Sequence, residues 1–275
     1  MRARQLVGND TDMTHGANKR RAPKTLSRRP SRKRQHLSNQ YWDITHRPLQ
    51  CLVFLIPMVA AYELGMAISH GNVPIEQRPG LAAQQLLYWF FSLFGVTGVY
   101  LPGVLLIVIL LGWHIASRNP WKISLGGLAR MAGESVVLAI PFLLLNELIR
   151  EAPAMQAVVG GDRVSAFDNL LLSVGAGLYE ELVFRLIVIS LLYMLLVDIA
   201  RLREVTGVAL AVILSSLMFS AHHFHPIGTD AWSTPKFAFF AACGAYLAAV
   251  FVLRGFGLAV GCHAFYDIVV SLMLR

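Results

Sequence analysis

Residues Ser173–Ser190 read SVGAGLYEELVFRLIVIS. Two adjacent carboxylates, Glu180 and Glu181, and the guanidinium of Arg185 interrupt a run that is otherwise apolar. The surrounding stretch, Phe167–Val197, is long enough to cross a bilayer, which takes about 20 apolar residues in a helix. An ionisable side chain at that depth costs at least roughly 2.5–3.5 kcal/mol. Three of them within one and a half turns mark a site. The rest of the chain reads as the frame that brings partners to it.

Composition agrees with a membrane setting. The chain has 275 residues, 56% of them hydrophobic, and a mean hydropathy of +0.56. Asp, Glu, Lys and Arg make up 15%, against about 25% in an average soluble domain. The fold class expected is all-α, a polytopic transmembrane helical bundle. The net charge of +8 is concentrated at the N-terminus and in short loops. Topology accounts for it through the positive-inside rule, and no nucleic-acid partner is expected. Cys51, Cys243 and Cys262 are scattered in apolar sequence without a CxxC, so they read as packed free thiols.

Outward from the central stretch, three further spans follow: Val205–Ser220, Phe237–Leu253 and Phe256–Leu274, with a tight turn at Arg254-Gly255. Upstream lie Cys51–Ser69, Tyr100–Ala116 and Met131–Ile149, the first containing Pro57 and the last Pro141. Leu81–Thr97 is aromatic-rich and short, either a span or an interfacial helix. The count is therefore about seven spans, or eight if Leu81–Thr97 crosses. Glu63, late in the first span, either lines a polar cavity or snorkels to the interface. Tyr41 and Trp42 read as interfacial anchors. Residues 1–46 are expected to form a basic, disordered cytoplasmic tail, 47–165 an N-terminal transmembrane region, and 166–275 a transmembrane core that carries the polar groups. With the N-terminus inside and seven spans, the basic loops at Arg118–Arg130, Arg201–Arg203 and Arg254 fall on the same side as the tail.

Three polar clusters occupy successive spans of the core. Glu181 and Arg185, at i and i+4, can pair on one helix face. Glu180 is rotated from Glu181 by about 100° and points elsewhere. Phe219-Ser220-Ala221-His222-His223 closes the next span, with Phe219 and His223 on one face. His263 and Asp267 share a face in the last span. Each pair alone reads as a satisfied packing pair. Together they offer a carboxylate facing a histidine, which can hold and activate a water, and a second histidine with a polar neighbour to stabilise an oxyanion. That is the minimal equipment for hydrolysing a peptide bond without a covalent intermediate.

The ordered set Glu180-Glu181-x-x-x-Arg185, Phe219-x-x-x-His223 and His263-x-x-x-Asp267 resembles the EExxxR, FxxxH and HxxxN/D motifs of the CPBP intramembrane proteases. That family comprises the type II CAAX prenyl endopeptidases and the bacteriocin-processing and immunity-type Abi proteins. The resemblance covers roughly Phe167 to Leu274. It implies Glu180 as the general base and Glu181 with Arg185 as its supporting pair. It implies His223 as the partner that holds the water, and His263 with Asp267 as the oxyanion-side group. The family often has Asn where Asp267 stands. An ionised Asp cannot donate to an oxyanion, so Asp267 is expected to orient His263 or to be protonated. His222 is an extra histidine whose role the sequence leaves open.

The resemblance also leaves metal use open. The preferred reading requires no cofactor. If zinc binds, Glu180, His223 and His263 would be its ligands. The implied partners are a peptide or protein substrate, prenylated or membrane-embedded, and the lipid bilayer. The expected location is an integral position in a membrane, with the bacterial inner membrane favoured and the N-terminus cytoplasmic. The sequence lacks the GxSG and GxGD of serine and aspartyl intramembrane proteases. The alternative on the same fold is a non-catalytic immunity or scaffold protein. A proton-coupled carrier would usually show broken helices in paired repeats, and no repeat is evident.

Overall fold

The protein is a polytopic helical bundle. The computed structural model describes residues 41–71, 80–98, 100–150 and 165–273. Of the basic tail, residues 1–40 lie outside the described residues. After a short helical turn at 41–45, eight helical segments follow: α1 (Pro48–His70), α2 (Ala82–Ser92), α3 (Leu101–Ala116), α4 (Leu125–Arg150), α5 (starting at Ala166), α6 (Glu204–Ala221), α7 (Thr234–Arg254) and α8 (Phe256–Met273). α5 is α-helical over Ala166–Glu181, widens to π geometry over Leu182–Ile189 and again over Met194–Ile199, and the whole run Ala166–Ile199 is one candidate span.

Length decides which helices can cross. Six of them (α1, the Leu125–Leu145 part of α4, α5, α6, α7 and α8) are long and apolar enough. α3, with 16 residues, is about 24 Å long at 1.5 Å per residue, and stands beside the six as a shorter apolar helix. α2 has 11 residues, about 16 Å, roughly half of a hydrocarbon core of about 30 Å. It does not cross. The segment Leu81–Thr97 is the interfacial helix of the two expected alternatives. α2 is pinned from below, since Tyr62 donates to Gln84 Oε1 at 2.7 Å and Gln84 Nε2 donates to the Tyr88 hydroxyl at 3.0 Å. Its outer side leaves Trp89, Phe90, Leu93 and Phe94 exposed.

Local sequence explains the boundaries. Ser165 caps α5 by accepting from the Asp168 N–H, satisfying one of the donors that every helix start leaves unpaired. Gly255 sits at φ +95° between α7 and α8, where a side chain would also meet the Thr45 carbonyl. That conformation favours glycine, as the expected Arg254-Gly255 turn requires. Pro48, Pro102 and Pro235 occupy first turns, where a missing N–H costs nothing.

α8 is the central helix, buried continuously from Phe256 to Ala264 and packed between α5, α4 and α7. One apolar cluster joins α1, α3 and α5 around Leu55, Tyr62, Leu106, Leu178 and Leu182. A second, aromatic cluster gathers Phe142, Phe184, Phe219, Phe240 and Tyr266 around the polar groups. Outward-facing Leu64, Val108, Leu144, Ile213 and Leu253 are exposed, as lipid-facing positions are. The close approach of α5 to α8 depends on Gly177, where a Cβ would lie 2.7 Å from Ala264 Cβ. Gly177→Val is expected to push α5 off α8, lowering stability by about 1–3 kcal/mol. Thermal unfolding in detergent measures this, and activity should fall with it.

The two ends of the bundle differ. At one end Arg254 makes a bidentate pair with Glu134 (Nε–Oε1 2.6 Å, Nη2–Oε2 2.8 Å), and Tyr41 donates to the same carboxylate at 2.7 Å. The Arg254 guanidinium lies 3.7 Å above the Trp42 ring. Tyr41 and Trp42 thus clasp the α7–α8 turn. Gln50 ties α1 to the α3–α4 connection through the backbone of Ser124. The opposite end carries α2, the start of α5 and the 222–233 connection, with His70 3.7 Å from Asp168. Glu63 faces into the bundle, where its carboxylate accepts the Tyr179 hydroxyl, so it does not snorkel away from its neighbours. All three cysteines are buried free thiols.

Candidate active site

The site begins with an orphaned carbonyl. The last four C=O groups of a helix lack intrahelical partners. At the end of α6 the backbone tightens, and the His223 N–H goes to the Ser220 carbonyl at 3.3 Å. The Phe219 carbonyl is left free, and two imidazoles fill it. Nδ1 of His222 and Nδ1 of His223, the latter at 2.8 Å, both meet that oxygen. A carbonyl only accepts, so in both rings Nδ1 carries the proton. Each Nε2 is therefore free to present its lone pair, and the backbone has fixed two tautomers at once.

Those lone pairs lie beside Glu180. His222 Nε2 is 3.6 Å from Glu180 Oε1. Ligating atoms of Glu180, His222 and His223 all lie within 4.8 Å of one another. His223 stacks face to face on Phe240, centroids 3.9 Å apart, and packs edge-on against His222. Burial first, and the neighbouring His222 second, hold the His223 imidazole below the usual histidine range, at about 4. The sign follows. Between pH 6.5 and about 4 the unfolded chain takes up a proton at this position and the folded chain does not, so stability falls as pH falls through that window. His223→Gln is expected to flatten the decline, as read by thermal unfolding across pH 7 to 4.

Glu181 turns the other way, as the 100° rotation requires. It is fully buried and lies 3.1 Å from Arg185 Nε. That N–H is not aimed along the contact, so charge more than a linear hydrogen bond holds the pair. Arg185 also donates to the Gly244 carbonyl at 3.2 Å, and its guanidinium lies 4.2 Å above the Phe219 ring. The other Glu181 oxygen meets His263 Nδ1 at 2.8 Å. A carboxylate accepts, so His263 Nδ1 is the donor and Nε2 is left for the other carboxylates. It lies 3.9 Å from Glu180 Oε2 and 3.4 Å from Asp267 Oδ2.

The structure therefore brings together Glu180, Glu181, Arg185, His223, His263 and Asp267. It adds His222, which sequence reasoning left without a role. Two details differ from expectation. The orienting acceptor for His263 is Glu181, since Asp267 approaches the Nε2 side. The group with metal-ligand spacing is Glu180, His222 and His223, with His222 in the place given to His263. Zinc takes imidazole nitrogen and carboxylate oxygen, and rings oriented through Nδ1 by a backbone carbonyl suit a metal ligand. The set fits such an ion by chemistry and spacing.

Residues 163–269 match the family model described as type II CAAX prenyl endopeptidase Rce1-like. The matched segment holds every residue of the cluster, and the CPBP and CAAX-protease resemblance stands on it. No curated protein and no solved structure matches the chain.

Proposed function

We propose that the protein is an intramembrane endopeptidase in which a water donates one hydrogen to the Glu180 carboxylate, which activates it, and the other to an Nε2 lone pair of the His222–His223 pair. The observation that carries this reading is the shared Phe219 carbonyl. It fixes the tautomers of two imidazoles whose ligating atoms lie within 4.8 Å of one buried carboxylate, a construction that a packing pair does not need. Glu180 takes a proton from the water as its oxygen attacks the scissile carbonyl carbon, then passes it to the leaving amine. His263, held by Glu181, presents Nε2 to the other side of Glu180, 3.9 Å from Oε2. In its imidazolium form it offers the N–H that a tetrahedral oxyanion requires.

If zinc occupies the site, Glu180, His222 and His223 would hold it, and the ion would supply a bound water of lowered pKa. Reconstituted protein with a peptide library that includes prenylated C-terminal peptides tests both readings. Cleavage is expected to survive chelation and to fall by about 10²-fold or more in both His222→Ala and His223→Ala. Cleavage lost with chelator and restored by zinc would establish the metal. An absence of wild-type cleavage across the library would favour the non-catalytic immunity or scaffold reading.

A further inference from the structure

The catalytic cluster is not midway through the bundle. The His223-stacking residue Phe240 lies about 9 Å along α7 from Thr234 and about 21 Å from Arg254, at 1.5 Å per residue. His222 directly follows the last residue of α6, about 27 Å from its start at Glu204. Asp267 is about 9 Å from the end of α8 at Met273 and about 16 Å from Phe256. Glu180 is about 21 Å from Ala166, and more residues, through the two π segments, separate it from Ile199. All four helices place the cluster nearer the end that carries the 222–233 connection.

Charge is distributed the opposite way. Among the described residues, Arg47, Arg118, Lys122, Arg130, Arg201, Arg203 and Arg254 lie at or near the far end. The site end has Lys236 and, as the last residue of α4, Arg150, and the sequence between the helices that meet there adds Arg78 and Arg163. The chain enters the far end from residues 1–40, which contain eleven Lys and Arg. An excess of Lys and Arg in the short connections marks the cytoplasmic side. The non-crossing helix α2, with its exposed aromatic residues, lies at the site end, and Trp232 is exposed there as well.

We infer that the catalytic cluster lies toward the non-cytoplasmic face of the membrane and takes a peptide segment presented there, the flank of a secreted or membrane-anchored chain. This rests on the peptidase reading for its substrate class and on charge and helix level for its direction. A cytoplasmic C-terminal peptide would have to pass most of the bundle's thickness to reach Glu180. The exposed apolar residues of α2 would instead hold a membrane-anchored substrate against the interface beside the site.

Cysteine accessibility in the full chain tests the direction without using catalysis. Ser117 is exposed at the basic end, and Thr229 and Ala231 are exposed at the site end. Ser117→Cys, Thr229→Cys and Ala231→Cys are each expressed in bacterial cells with the three buried native cysteines kept. A membrane-impermeant maleimide is then added outside, with a detergent-treated aliquot to normalise labelling. At least tenfold greater labelling of Thr229→Cys and Ala231→Cys than of Ser117→Cys is the expected result. Labelling of Ser117→Cys alone, or equal labelling at both ends, overturns the inference. Either result stands whether or not the protein cleaves peptides, so a failure here is distinct from a failure of the peptidase reading.

Discussion

Glu180→Gln is expected to lower kcat by about 10²–10⁴-fold, the usual worth of a general base, with the protein still folded. The substitution keeps volume and planarity, so it opens no cavity. Its amide N–H can donate to the free Nε2 of His222, now 3.6 Å from the carboxylate, so the local hydrogen bonding survives. What disappears is the ability to take a proton. Substrate binding should change little, because loss confined to kcat is the signature of a group used in the transition state. Turnover in proteoliposomes, with thermal unfolding measured on the same preparation, checks the outcome. A variant that retained a third of wild-type kcat would remove Glu180 from the base role.

The second large effect concerns stability. Glu181→Leu is expected to cost about 3–5 kcal/mol, because breaking a buried ion pair strands the remaining charge. Both Glu181 and Arg185 are fully buried, and the hydrogen bond that Arg185 keeps is to a neutral carbonyl, that of Gly244. The variant should unfold at markedly lower temperature or denaturant concentration in detergent. Glu181→Leu combined with Arg185→Met should recover most of that loss, since apolar residues of similar volume often replace such a pair without penalty. Activity should not return with it. Glu181 also holds His263 through Nδ1 at 2.8 Å, and neither leucine nor methionine replaces that acceptor. Recovery of both stability and turnover in the double variant would show that Glu181 serves packing alone.

Much of this arrangement was legible because intramembrane charge is expensive and therefore conspicuous. Glu180, Glu181, Arg185, His263 and Asp267 stand out against apolar sequence, and helix periodicity alone separates Glu180 from the ion pair. The spans were legible for the same reason, with helix ends within a few residues of the apolar runs. What was hidden depended on geometry that no period encodes. His222 is off the i, i+4 face that links Phe219 to His223. It enters the site only because the last turn of α6 tightens and frees a carbonyl. The orienting role of Glu181 toward His263 joins α5 to α8 across 82 residues of sequence, and Gly177 permits that approach. The length of α2 was ambiguous because its apolar run continues past Ser92, where the helix stops. Glu134 and Arg254 form a strong pair in space while lying 120 residues apart.

The oxygen that accepts both imidazoles belongs to the main chain. Every amino acid carries it, so replacing Phe219 would remove the ring over Arg185 and leave the acceptor in place. A saturation screen would register Phe219 as a packing residue and record nothing for the feature that sets two histidine tautomers. The same holds for evolution, which can exchange side chains here without altering this contact. Removing it takes chemistry outside the genetic code's ordinary reach, such as a backbone ester, or an insertion that shifts the end of α6 by a residue. The most heavily used acceptor of the site is thus invisible to the methods by which sites are usually mapped.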